Sequence, residues 1–467
     1  MSSSAAAPPR GVTGPIPGEL LRLALPVLAS QLLRVAYQWV DALWVRGLGV
    51  EATAAVTTSM FVMWTVYSLG DVFTSGVSAY VSQLLGAGDR ARAGRAAYAG
   101  LRASAVTGLA CGVAGIVFAR HVYVLMGATP GVVEQGGRFL AVIAGGAALP
   151  LVQFSCEAVM RASGNTRVPL AIDCCAVALN AVLDPLLIYG WGPVPRLGVA
   201  GAAYATLTAQ ACAVACYLAV AARRHPAFPL ARRAPHPRIG AARLARVGAP
   251  NALVGIMFSL VYVAFARAAA TYGAAAMAIV GIANRIEAIQ FVTAGSIGIG
   301  AASLVGQNLG ARRPERAVAT IRTGVSWVVW LSVALTALLA VWPAFFIGLF
   351  TRDAEALRIG VPYLRILATC LVATGIEVTV AEAILGSGHT RVLSVLYNVV
   401  SLLRIPLAFW VPRWMGNGVL GIAWLIAITC IARTIAIVAW AVRGTWMRGL
   451  GGDIHADAAT PAPDARA

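Results

Sequence analysis

Apolar residues in this chain run on rather than alternate. Leu20–Val45 is built mostly from Leu, Ala, Val, Trp and Tyr, and similar stretches recur along the sequence. About twenty such residues cross a ~30 Å hydrocarbon layer as a helix rising ~1.5 Å per residue. The pattern predicts twelve spans, near residues 18–46, 53–84, 93–119, 134–160, 168–190, 196–222, 243–270, 274–306, 317–350, 356–385, 392–413 and 417–443. Alternating ten-residue segments, the mark of a membrane β-barrel, are missing. The fold class is therefore an all-α polytopic membrane protein.

The twelve spans fall into two matching sets of six. Pro26 recurs as Pro250. Val81-Ser82-Gln83 recurs as Val305-Gly306-Gln307, and Ser163-Gly164-Asn165-Thr166-Arg167 as Ser387-Gly388-His389-Thr390-Arg391. The offsets 250 − 26, 305 − 81 and 387 − 163 all equal 224. Six spans is an even number, so both halves enter from the same side, as parallel repeats about an axis along the membrane normal. The expected organisation is a disordered N-terminus over 1–17, an N-lobe over 18–222, a linker over 223–242, a C-lobe over 243–445 and a disordered tail over 446–467. Residues 1–17 lack the apolar core of a signal peptide.

Composition agrees with a membrane location: the chain is 59% hydrophobic and 12% charged, with mean hydropathy +0.79. A soluble domain carries about twice that charge. The net charge of +18 comes entirely from Arg and points away from nucleic acid, because the arginines cluster between spans. Arg90, Arg92 and Arg95 follow span 2, Arg161 and Arg167 span 4, and Arg312, Arg313 and Arg316 span 8. Positive-inside bias then puts both termini in the cytoplasm, with a bacterial inner membrane as the expected location. The eight cysteines lie in apolar runs without metal-ligand spacing and are expected as buried free thiols. No nucleophile–base–orienter set stands out, so no enzyme and no cofactor are expected.

The candidate chemistry is a handful of charges inside spans. Asp41 lies in span 1, where a carboxylate costs at least ~2.5–3.5 kcal/mol and marks a functional site by default. Tyr37 and Asp41 are four apart and share a helix face, as do Asn180 and Asp184 in span 5. With the Thr206 hydroxyl of span 6, these groups suffice for a proton-sharing network or a loose oxygen site for Na⁺. The repeat mates of Tyr37, Asp41, Asn180 and Asp184 are Val261, Phe265, Arg404 and Ala408, so these polar groups belong to one half only. Pro26 allows span 1 to bend. Arg34, on the face of Tyr37 and Asp41, is expected to neutralise Asp41, reach headgroups or attract an anionic substrate group. Asp71 and Asp173 are weaker substrate-site candidates, Asp71 serving either the cavity or a packing contact. Glu157 is expected at the interface or paired with Arg161, and Glu287 or Glu377 as partner of Arg404 or as part of a second cation route.

Leu23-Ala24-Leu25-Pro26 with Asp41, Ser82-Gln83 with Gly86-Ala87-Gly88-Asp89, Gly164-Asn165-Thr166-Arg167, Asn180 through Asp184, Gly198-Val199-Ala200-Gly201 and Gly306-Gln307-Asn308-Leu309-Gly310-Ala311 together resemble the multidrug and toxic compound extrusion (MATE) family over residues 18–445. The Asp41 and Asn180/Asp184 pattern, with no acid in span 7, resembles the DinF-like branch. The resemblance implies a two-lobed antiporter, expected as a monomer in the bilayer, that exports cationic or polyaromatic compounds in exchange for H⁺ or Na⁺. It implies coupling through Asp41, Asp184, Asn180, Tyr37 and Thr206. The alternative within the superfamily is a lipid-linked precursor flippase, with Arg34 and Arg404 gripping pyrophosphate.

Overall fold

The computed structural model describes residues 9–190, 195–231, 239–451 and 454. The N-lobe holds α1 (Arg10–Thr13), α2 (Ile16–Arg46), α3 (Val50–Gly86), α4 (Arg90–Leu125), α5 (Pro130–Gly145), α6 (Ala148–Ala162), α7 (Arg167–Pro185) and α8 (Val199–Ala222). The C-lobe holds α9 (Ala241–Ala270), α10 (Ala274–Gly310), α11 (Pro314–Val341), α12 (Pro343–Gly348), α13 (Ala354–Ala368), α14 (Leu371–Leu385), α15 (Thr390–Trp414) and α16 (Leu420–Val442). Among the described residues, ten helices are long and apolar enough to cross a membrane singly. The pairs α5–α6 and α13–α14, bent by 43° and 52°, complete twelve spans.

The offset of 224 persists in the backbone. Gly49 and Gly273, the residues before α3 and α10, have φ of 105° and 104°, and Gly164 and Gly388 have 80° and 79°. These left-handed values are open to glycine without steric cost. The two bent spans break at matching points too, after Gly145 and after Ala368, one residue off the register. Their breaks were not legible in the apolar pattern, which counts length and not direction.

The lobes meet through α3 against α9 and α10 against α2, with α3 also touching α10. Here the repeat becomes reciprocal. A Cβ at Gly86 would collide with the Gln307 carbonyl, and one at Gly310 with the Gln83 carbonyl. Gln83 Nε2 donates to the Gly386 carbonyl (2.8 Å), and Gln307 Nε2 donates to the Ala162 carbonyl (2.9 Å). Each glutamine thus closes an exposed helix end in the opposite lobe. The two glycines let the lobes touch at the Arg-rich face. A buried hydrogen bond contributes about 1 kcal/mol. Removing one in Gln307→Ala should lower the population with the lobes joined at this face about fivefold. Spin labels across the Arg-rich face would read this as longer distances, and unchanged distances would discount the clasp.

Both halves also set a threonine hydroxyl against the helix that carries the repeated proline. Pro26 leaves the Arg22 carbonyl without its helical donor, and Thr166 Oγ1 donates to it (3.3 Å). Thr390, the repeat mate of Thr166, donates to the Val247 carbonyl (2.5 Å) beside Pro250 in α9. α2 runs unbroken through Pro26.

Several expectations need correction. Residues 9–17 are ordered: Val12 is buried, and Asn308, Arg313 and Arg316 donate to the Gly11, Val12 and Gly14 carbonyls at 3.1, 3.1 and 2.6 Å. Part of the tail over 446–467 is ordered as well, because Trp446 and Ile454 are buried and Gln83 Oε1 accepts from the Leu450 amide (2.8 Å). Short polar segments gain order from partners elsewhere in the chain, which composition cannot show. Residues 1–8 of the N-terminus, 232–238 of the linker and most of the tail lie outside the described residues. Span 9 divides at Trp342, because Pro343 cannot continue α11. All eight cysteines are free, but only Cys156, Cys370 and Cys430 are buried; Cys174, Cys175 and Cys212 are exposed on the helix surfaces.

Candidate functional site

Three N-lobe helices bring five of the expected residues together. Asn180 and Asp184 sit one turn apart on α7, and both are fully buried. With its amide oriented to suit its neighbours, Asn180 donates to Asp41 Oδ1 of α2 (3.2 Å) and to Asp184 Oδ2 (3.0 Å) and accepts from the Thr206 amide of α8 (3.2 Å). One amide nitrogen thus contacts both carboxyls, which brings Asp41 and Asp184 close together. Tyr37 Oη pairs with Thr206 Oγ1 (2.9 Å) one turn before Asp41. Asn180 therefore ties α2 to α7 through both acids. Two carboxylates this close repel unless a proton or a cation sits between them.

A second cluster, formed by α2, α6 and α7, lies closer to the Arg-rich end. Arg34 Nη2 bridges Glu157 Oε2 (2.7 Å) and Asp173 Oδ2 (3.2 Å). Arg161 Nη1 reaches the same Glu157 oxygen (3.0 Å). Gln153 Nε2 donates to Glu157 Oε1 (3.2 Å) and Asp173 Oδ1 (3.4 Å). Glu157 is only 1% exposed, so it is not interfacial, although it does pair with Arg161. Two cations matched by two anions make this cluster neutral. Arg34 thus pairs with Glu157 and Asp173 and not with Asp41 or headgroups.

Between the two clusters lies a cavity of about 280 Å³. Its walls include Trp64, Tyr67 and Phe154, with the amides of Gln38, Gln153 and Gln210 and the hydroxyls of Tyr37 and Thr206. Arg34 and Asp173 border it, and the Arg34 guanidinium lies 5.7 Å from the Phe154 ring centre. Asp71 is elsewhere: Thr74 Oγ1 donates to it (3.0 Å), and its backbone carbonyl meets Gly248 of α9 at the lobe contact.

The C-lobe differs from its expectation. Glu377 pairs with Arg433, whose Nε lies 2.6 Å from Glu377 Oε1, and not with Arg404. Arg433 also lies 4.1 Å from the Tyr397 ring centre. Arg404 donates to Thr429 Oγ1 (2.8 Å) and Cys430 Sγ (3.1 Å), and Glu287 accepts from Tyr262 (3.1 Å). Arg433 was missed, although a charge inside an apolar run is the signal that found Asp41. No metal-binding group of His, Cys, Asp or Glu occurs among the described residues.

Comparison with known proteins agrees with this architecture. The family model described as MatE matches twice, over residues 26–186 and 250–410, in the register of the internal repeat. An FAD transporter of Shewanella oneidensis is 26% identical over 91% of this chain and 94% of its own length. A probable multidrug resistance protein NorM of Bradyrhizobium diazoefficiens is 29% identical over 86% and 88%. A MOP superfamily transporter from Pyrococcus furiosus has the same fold, with TM-score 0.87, 22% identity and 96% and 99% of the two chains covered.

Proposed function

The chain belongs to the MatE family, and from that membership we propose a secondary active antiporter that exports cationic or polyaromatic compounds in exchange for H⁺, coupled through Asp41 and Asp184. The family are membrane transporters and not enzymes. The observation that carries the coupling proposal is the bridge from Asn180 to both carboxyls, because it joins helices of one lobe through groups whose charge can change. With the pair ionised, the site attracts a cation and its own repulsion loosens α2 from α7. A proton entering from outside neutralises part of that charge, restores the hydrogen-bonded pair and weakens the hold on a cationic substrate. Tyr37 and Thr206 connect this change to the wall of the aromatic cavity.

The cavity's rings favour flat aromatic substrates, and its three amides offer donors and acceptors to polar edges. The flavin cargo named for the Shewanella relative is of that kind. A pyrophosphate-gripping flippase lacks support, since Arg34 is held by Glu157 and Asp173, and Arg404 by Thr429 and Cys430.

Purified protein in liposomes tests the ion. An outward proton motive force should drive accumulation of a fluorescent cationic dye, and an equal sodium gradient at uniform pH should not. Accumulation driven by sodium alone would reassign the coupling ion to Na⁺.

A further inference from the structure

The C-lobe carries a groove that transport does not explain. It lies between α11, α14 and α16 and has a volume of about 420 Å³. Val318, Ile321 and Val325 of α11, Val380 of α14 and Val438 of α16 line it, and Trp446 closes one end. All three helices present their Arg-rich halves there: the first turns of α11, the last turns of α16 and the second half of α14. The groove therefore opens into a single leaflet, the one bordering the Arg-rich connections.

One charge borders this apolar surface. Arg322 lies 322 − 314 = 8 residues into α11, about 12 Å along the helix from Pro314. It is exposed, and it has no hydrogen bond or ion pair among the described residues. Arg34, Arg404 and Arg433, also within spans, all have protein partners. No acid lines the groove. Arg443 and Arg448 follow the groove residues Val442 and Met447 and add positive charge at its mouth. A guanidinium in the membrane without a protein partner extends toward lipid phosphate, and basic clusters at a leaflet surface attract anionic lipid.

We propose that this groove is a binding site for an anionic phospholipid, with an acyl chain between α11, α14 and α16 and the headgroup phosphate on Arg322. A soluble anion would use the arginine and leave the apolar trough empty, whereas a phospholipid uses both. Trp446 and Met447 belong to the segment whose Leu450 amide bonds Gln83 of the N-lobe, so the lipid also braces the clasp between the lobes.

Native mass spectrometry of the full chain, with phosphatidylglycerol and phosphatidylcholine of identical acyl chains, tests the site independently of transport and of the coupling ion. Phosphatidylglycerol should be retained about fivefold better, the preference of one arginine near the surface. Arg322→Gln should erase the preference but keep the retention of both lipids, and Arg322→Lys should restore most of it. Val380→Trp, which fills the trough, should reduce retention of both lipids. Gel filtration and thermal melting would verify that each variant is folded. Equal retention of the two lipids by the unmodified protein, an undiminished preference in Arg322→Gln, or displacement by millimolar inorganic phosphate would overturn the proposal.

Discussion

Asp41→Asn should abolish proton-driven accumulation in liposomes. Moving one proton inward across 100 mV supplies ~2.3 kcal/mol, about a fortyfold gradient of an uncharged substrate; exchange for a monovalent cationic dye moves no net charge, so there the pH difference alone sets the gradient, about tenfold per pH unit. Asparagine keeps the shape of a protonated aspartate and its place beside Asn180 and Asp184 but cannot release a proton. The gradient should therefore fall to about unity while binding of an aromatic dye in the cavity persists. Asp184→Asn should behave alike, because the two acids act as one bridged unit. Dye binding separates loss of coupling from loss of fold. A variant that still accumulates dye against its gradient would remove Asp41 from the coupling step.

The second large effect concerns stability. Glu377 and Arg433 are almost completely buried in the C-lobe, with side chains 3% and 2% exposed. Breaking such a pair leaves one uncompensated charge and typically costs about 3–5 kcal/mol. Arg433→Ala should accordingly lower the melting temperature more than any lipid-facing substitution. The joint replacement Glu377→Leu with Arg433→Met should recover most of that loss, since apolar residues of similar volume often match a buried pair. Transport by the double variant would mark the pair as scaffold. Stable protein without transport would instead give the C-lobe a part in the cycle.

The two clusters differ in what their charges can do. In the Arg34–Glu157–Asp173–Arg161 group, cations and anions balance, so the helices are held together without a mobile ion. Among the described residues neither Asp41 nor Asp184 forms an ion pair; the Asn180 amide bridges them, with the Tyr37–Thr206 hydroxyl pair one turn away. α2 carries both Arg34 and Asp41. One helix thus carries a charge-balanced contact at Arg34 and, two turns farther along, an acid bonded to an amide.

Span number, lobe count and repeat register were written in the sequence, because each depends on local quantities. Twenty apolar residues cross a bilayer whatever they pack against, and matching prolines and glycines keep their spacing in any fold. The same reasoning found Asp41, Asp184 and Asn180, since a buried polar group in an apolar run stands out one residue at a time. Partner choice was not local. Nothing along the chain distinguishes Arg404 from Arg433 as the mate of Glu377, or sets Arg34 on Glu157 and Asp173 in place of Asp41; the rotation and depth of neighbouring helices decide both. The bends at Gly146 and Thr369, the ordering of both terminal segments and the glutamine clasp likewise arise only where distant segments meet, because hydrogen bonds and ion pairs act over a few ångströms and only the packed chain sets those distances.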